Sequence, residues 1–196
     1  ADLLKLLPKI SDIKTLTEDQ TKMLGMLAAL FAELDDLDTA EQINRKLVEL
    51  DPKKTYALAM FLGMHRDPAL CFEKLKEVYT PSSSAEALGV AVAVLRNRRD
   101  DVGDKFDAQM EQWIDRALSE NPDSISLKLI QGDFFDVQKN YEAAGDIYRK
   151  LLERRDLVGV RRAIVLNNLA YLIALAGPAA AAGNADPMSY INEAAD

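Results

Sequence analysis

Apolar residues recur every three or four positions along most of this chain, and short polar stretches interrupt them. The first clear run carries Leu24, Leu27, Ala28 and Phe31, a spacing that places all four on one face of an amphipathic helix. No alternation of valine and isoleucine is long enough to build a sheet. The pattern therefore predicts an all-α protein.

Several residue pairs mark where the predicted helices begin. Thr17 is followed three residues later by Gln20, and Ser83 by Glu86. This is the spacing of a capping box, in which two side chains satisfy amides at a helix N-terminus. The pair Asp51–Pro52 predicts another start, because aspartate caps well and proline in the first turn needs no amide hydrogen.

Polar stretches between these helices predict tight connections. They are Asp35–Asp38, Arg66–Pro68, an enlarged turn at Arg99–Lys105, and Gln138–Asn140, with a further boundary at Asn121–Pro122. An alanine- and glycine-rich loop follows at Gly177–Ala185, and Asp186–Pro187 predicts a last helix. The chain is therefore expected to be a series of helical hairpins.

The stretch Ile125–Asp156 contains the clearest hairpin. Small residues, Gly132 and Ala144, stand where two helices must cross closely, and bulky residues fill the space around them: Phe135, Tyr141, Tyr148 and Leu151. The same arrangement recurs elsewhere, at Ala28 with Ala40, at Leu88, Gly89 and Val92, and at Leu169, Ala170 and Ile173. This pattern resembles the tetratricopeptide repeat (TPR), a helix-turn-helix unit of 34 residues, with departures at Lys128 and Gln131, where that family has bulky apolar residues.

The resemblance implies a right-handed α-solenoid of about five TPR-like helical hairpins. Its repeat domain would occupy residues 17–196, and residues 1–16 would form a helical cap or the end of a preceding repeat. Residues 1–10 are expected to form a short apolar helix that stops near Pro8. Because the chain begins without methionine and ends within a predicted helix, it is expected to be a segment of a longer polypeptide.

The resemblance also implies a binding surface. In TPR proteins the first helix of each hairpin lines a concave groove that holds a protein or peptide ligand. The groove-facing positions include Lys22, Ala29, Glu33, Gly63 and Ala174, and the candidate binding residues are Tyr56, Arg66, Leu129, Asp133, Asp136, Asn167 and Tyr171. We therefore expect a non-catalytic protein- or peptide-binding scaffold.

Composition narrows the possible partners. The net charge is −8, with 32 acidic and 24 basic residues, so the chain as a whole repels nucleic-acid phosphate. No stretch of 18 apolar residues occurs, which predicts no membrane span. The single cysteine, Cys71, excludes an internal disulfide and is compatible with a reducing compartment such as the cytoplasm.

Residues with catalytic or metal-binding chemistry are sparse. His65 is the only histidine and falls where Phe31 and Ile173 stand in other hairpins, so we expect a packed or half-buried filler. Cys71 falls in a small-residue position and is expected to act as a small hydrophobe. Phosphate-binding glycine loops and nucleophile elbows are absent. We therefore expect that the protein is not an enzyme and that it binds no cofactor.

Two groups of arginines leave alternatives open. The first is Arg96, Arg98 and Arg99, and the second is Arg154, Arg155, Arg161 and Arg162. Either group is compatible with a solvated helix edge, and the second also with a site for phosphate or an acidic peptide end. The alternatives to a scaffold are a nucleic-acid binder that uses this edge and a regulatory segment of a larger enzyme. Self-association through cut repeat ends is also expected to be possible.

Overall fold

The structure is a computed structural model that describes residues 13–80, 83–176 and 192. Within these residues all regular structure is helical, and the described part contains no strand. This confirms the predicted all-α class. The predicted helix at residues 1–10, the loop 177–185 and the helix after Asp186 lie outside the described residues, apart from Asn192.

The chain divides into two compact units, Ala1–Thr80 and Pro81–Asp196. In the first unit the described helices are α1 (Glu18–Glu33), α2 (Leu37–Leu50), α3 (Thr55–His65) and α4 (Pro68–Val78), with a 3₁₀ turn at Pro52–Lys54. In the second they are α5 (Ser84–Val102), α6 (Asp107–Glu120), α7 (Ile125–Val137), α8 (Tyr141–Leu152) and α9 (Gly159–Ala176). In each unit, helices that follow one another along the chain contact each other and form hairpins.

Two predicted helix starts can be compared with the structure in the first unit. The Gln20 amide donates to Thr17 Oγ1 at 3.2 Å, and the Thr17 amide donates to Gln20 Oε1 at 2.9 Å, which completes the capping box of α1. Asp51 accepts from the Lys53 amide, but it caps the 3₁₀ turn rather than α3 itself. A helical segment does begin at Asp51–Pro52 as predicted, but its first turn is 3₁₀. The α-helix itself starts one turn later, at Thr55.

The turns of the α1–α2 and α7–α8 hairpins have the same geometry. Asp35 and Lys139 each adopt a positive φ of 61°. The next residue in each turn, Asp36 or Asn140, donates its amide to a phenylalanine carbonyl at 2.9 Å and caps the second helix with its side chain. Aspartate and asparagine suit both tasks because a short polar side chain can accept from nearby amides. These two hairpins therefore share one turn geometry.

The first unit buries residues of α1, α2 and α3 in a common core. The core contains Leu24, Ala28, Phe31, Ala40, Ile43, Leu47, Leu58, Phe61 and Leu62. Cys71 and Leu75 are fully buried in α4, and Cys71 thus occupies a small buried position as predicted. Gly63 is also buried, so its predicted place in a ligand-facing groove is wrong.

The predicted enlarged turn of the second unit is largely helical. Residues 99–102 form the last part of α5 after a kink at Arg98, whose φ of −118° and ψ of 19° are not helical. The helix ends at Gly103, whose positive φ of 55° is unfavourable for other residues. Arg99 holds this end in place, because its guanidinium donates two hydrogen bonds to Asp107 at the start of α6, at 2.6 and 2.8 Å. The predicted capping box at Ser83 is wrong: Ser83 precedes α5, but its side chain makes no capping hydrogen bond.

The crossing of α7 and α8 is as close as the small residues predict. A Cβ atom added to Gly132 would lie 2.6 Å from Cε1 of Tyr148, and Ala144 on α8 is fully buried. Gly89 on α5 was predicted to serve a similar crossing. That prediction is wrong, because a Cβ atom at Gly89 would meet no atom within 4 Å.

Details of α7 differ from the predicted alignment by one residue. Leu127 and Phe134 are buried, whereas Phe135 is only partly buried against the core. That core also contains Ile125, Ala144, Tyr148, Leu151, Leu157, Val165, Leu169, Leu172 and Ile173. The apolar neighbours of Lys128 therefore take the inward positions, and Lys128 itself remains partly exposed.

The helix α9 is apolar and long. Its 18 residues have a mean hydropathy of 1.2. Of the described helices, it is the one that is long and apolar enough to cross a membrane. A third of these residues are buried inside the protein, among them Leu169, Ala170 and Ile173 as the pattern predicts. Core helices pass the same test of length and hydropathy, so this test alone assigns α9 no role in a membrane.

Candidate functional site

A cavity of about 460 Å³ opens on the second unit. We call it the α5–α7–α9 groove, because residues of these three helices supply most of its wall, with two tyrosines from α8. The lining residues are Arg96, Asn97, Arg99, Asp100, Asp136, Val137, Lys139, Tyr141, Tyr148, Asn167, Asn168, Tyr171, Leu172 and Leu175. Its size is within the usual range for ligand sites.

The predicted binding residues divide between this groove and other places. Asp136, Asn167 and Tyr171 line the groove together. Leu129 instead packs against the core of the second unit. Tyr56 and Arg66 belong to the first unit. The structure thus brings together only part of the predicted set.

Asp133 lies behind the groove wall and joins three helices. Its Oδ1 accepts a hydrogen bond from the Tyr148 hydroxyl at 2.7 Å and from Asn168 Nδ2 at 3.0 Å. Tyr148 is only 1% exposed, and burial together with the nearby Asp133 charge raises the pKa of its hydroxyl far above the ordinary value. The hydroxyl therefore stays a donor. Asp133 was predicted to face a ligand, but these bonds give it a role in holding the groove together.

Arg96 is an accessible charged group of the groove. Its Nη2 lies 3.4 Å from a carboxylate oxygen of both Asp133 and Asp136, and 47% of its side chain is exposed. Burial raises the pKa of Asp136; Arg96 opposes that shift and Asp133 adds to it. Two contacts at 3.4 Å are long for charged hydrogen bonds, so Arg96 retains capacity for an acceptor from a ligand.

Sequence reasoning placed Arg96 only within a cluster of arginines. Its spacing from Arg99 was visible, but nothing in the sequence showed that two aspartates of α7 would stand opposite it.

The neighbouring Arg99 is more tightly engaged. Its two bonds to Asp107 are joined by a third, which Gln138 Nε2 donates to the same carboxylate at 3.2 Å. Burial acts to raise the pKa of Asp107, but the hydrogen bonds from Arg99 and Gln138 outweigh it and the net pKa is lowered. The side chains at this rim of the groove are therefore engaged in holding the fold together rather than available to a ligand.

The α9 side of the groove is open and mixed in character. Asn167 is exposed, as are Tyr171, at 55%, and Leu175, at 53%. Their spacing of four residues puts them on one face of the helix. An exposed amide next to an exposed aromatic and an exposed aliphatic side chain offers both a hydrogen-bonding partner and contact area to a ligand.

The first unit has a second cavity, of about 480 Å³, between α1 and α3. Ala29 and Glu33, both predicted to face a groove, line it, and its wall is mainly alanine, methionine and phenylalanine. Arg66 does not line this cavity: it forms ion pairs with Asp38 and, at 2.9 Å, with Glu41 on α2. Tyr56 is partly buried and lies outside the cavity wall.

The single histidine and the single cysteine lie in different environments. His65 is exposed, contrary to its predicted packed position, and its ring lies 5.2 Å from that of Phe61. Cys71 is fully buried, and burial raises the pKa of its thiol to about 12, so it remains a neutral thiol. Among the described residues, no group of three or more His, Cys, Asp or Glu side chains is placed to hold a metal ion.

No protein-family model matches the sequence, and no curated protein matches it either.

Proposed function

We propose that this chain is a non-catalytic scaffold whose hairpins are TPR-like repeats of a right-handed solenoid, and that it binds a peptide segment of another protein. The binding site is the α5–α7–α9 groove. One observation carries the proposal: exposed aromatic, amide and guanidinium groups, on Tyr171, Asn167 and Arg96, meet in one cavity. Each could contact a different part of an extended or helical peptide.

The repeated hairpin supports this assignment. The same turn geometry in the α1–α2 and α7–α8 hairpins, together with the close approach at Gly132, is what a series of similar helix pairs requires. In the second unit α5 contacts α7, and α7 is linked to α9 through Asp133 and Asn168. First helices side by side are what forms the groove in the TPR-like arrangement.

The rigid groove wall favours binding without large rearrangement. Because Tyr148 and Asn168 fix the Asp133 carboxylate, the facing helices are held before a ligand arrives. A preorganised site loses less conformational entropy on binding than a mobile one.

Peptide selection tests the proposal. Short random peptides displayed on phage are selected on the full chain, and the affinity of the best binder is measured by fluorescence polarisation. We expect Tyr171→Ala to weaken binding about tenfold, since exposed aromatic anchors contribute most at such sites. Asn167→Ala is expected to weaken it less.

Val160→Ala is the matched control. Val160 is on the same helix, is 77% exposed and does not line the groove, so its truncation should leave affinity unchanged. Asp133→Lys is unsuitable because it would break the hydrogen bonds to Tyr148 and Asn168. If no peptide is selected, or if every selected peptide binds the Tyr171→Ala and Asn167→Ala variants as tightly as the wild type, the groove is not the site.

The arginine pairing weighs against the nucleic-acid alternative. Arg98, Arg99 and Arg154 all form ion pairs with aspartates. These pairs reduce the positive potential that phosphate would meet.

A further inference from the structure

Two polar residues of α7 interrupt the apolar pattern, and they face a cavity separate from the groove. Lys128 and Gln131 stand where the repeat pattern has bulky apolar side chains. Both line a cavity of about 230 Å³, together with Ile147, Lys150, Leu151 and Arg154 from α8 and the residues after it. We call this cavity the basic pocket.

The basic pocket concentrates positive charge in an acidic chain. Three of its lining residues are cations and none is a carboxylate, although the chain has 32 acidic and 24 basic residues. Lys150 is exposed and forms no ion pair with a described residue. Lys128 has only a distant carboxylate, Asp123 Oδ1, at 4.0 Å. The two lysines therefore leave their charges largely uncompensated.

Arg154 supplies a cation that is already ordered. Its Nε and Nη2 donate to the Asp156 carboxylate at 2.9 and 2.7 Å, and its Nη1 donates to the Asp123 carbonyl at 2.9 Å. These bonds fix the guanidinium at the pocket wall, so a ligand need not order it. The carboxylate of Asp156 neutralises much of its charge, which leaves the lysines as the main attraction.

We propose that the basic pocket binds a phosphomonoester dianion. The ammonium groups of Lys128 and Lys150, whose charges are largely uncompensated, can balance the charge of −2 on such a ligand. Ammonium groups are common phosphate ligands. The Gln131 amide adds a neutral donor, and Ile147 and Leu151 provide an apolar wall for a short carbon stem. The cavity is below the range of about 300–1,000 Å³ typical of drug-sized ligands, so it suits a phosphoryl group on a small stem better than a nucleotide.

Titration calorimetry of the full chain tests this site with two probes, inorganic phosphate and O-phosphoserine, at about pH 7.5 and constant ionic strength. We expect both to bind and serine to give no heat. Affinity for O-phosphoserine should fall at about pH 5.5, because the second proton of its phosphate group binds with a pKa near 6. Tighter binding of O-phosphoserine than of inorganic phosphate would support a phosphomonoester as the ligand, and equal binding of the two probes would overturn that assignment in favour of free phosphate.

Matched variants separate the pocket from general charge. Lys150→Gln should weaken binding about tenfold, since a charged hydrogen bond is lost, and Gln131→Glu should weaken it at least as much through repulsion. Lys76→Gln changes the net charge equally at an exposed position on α4 and should have no effect. The proposal is overturned if neither probe binds, or if Lys76→Gln and Lys150→Gln reduce affinity equally.

Discussion

Gly132 provides the sharpest test of how this protein packs. The change is Gly132→Ala, which adds one methyl group in the middle of α7. The new Cβ atom would lie 2.6 Å from Cε1 and 3.1 Å from Cδ1 and Cζ of Tyr148. The ring has little freedom to move, because it is 1% exposed and its hydroxyl is bonded to Asp133.

Two opposing effects determine how much Gly132→Ala changes the free energy of unfolding. Alanine favours a helix interior over glycine by about 1 kcal/mol. Overpacking a tight core costs about 1–3 kcal/mol. The net expectation is a loss of about 1 kcal/mol in the free energy of unfolding, which combines these two ranges.

Gly89→Ala on α5 is the matched control. It makes the same chemical change inside a helix of the same unit, but the new Cβ atom would meet nothing within 4 Å. Only the propensity effect remains, so this variant should gain up to about 1 kcal/mol. Urea unfolding followed by fluorescence of the single tryptophan, Trp113, reports on the second unit.

The comparison between the two variants is what decides the matter. If Gly132→Ala stabilises the second unit as much as Gly89→Ala does, α7 and α8 do not approach as closely as the structure has them, and the repeat alignment loses its main support.

Two further changes probe the same unit. Ala144→Trp should lower the free energy of unfolding by at least about 1–3 kcal/mol, because Ala144 is fully buried at the crossing; an unchanged urea midpoint would contradict the packing. Asp136→Asn should raise stability at neutral pH, because the raised pKa of Asp136 means that its ionised form is disfavoured in the folded state. That contribution is absent below the unfolded pKa of about 3.9, so the gain should shrink as urea unfolding is repeated at lower pH, and a gain independent of pH would refute this cause.

Some features of the fold were readable because they depend on neighbours in sequence. The capping box at Thr17 and the turn after Val137 need only residues within one or two turns of helix. The positions of Gly132 and Ala144 followed from the spacing of small and bulky residues. These local rules were sufficient for the all-α class and for the clearest hairpin.

Other features were decided only when distant residues met. The connection between α5 and α6 is held by Arg99 reaching Asp107, and the role of Asp133 depends on Tyr148 and Asn168 from two other helices. Gly89 and Gly132 look alike in sequence, yet only Gly132 has a ring against it. Sequence by itself determined most of the helical segments and the approximate position of their apolar faces, because these follow from local spacing. Tertiary structure decided which polar groups are satisfied internally and which remain available to a ligand, because charge and burial depend on what each side chain faces.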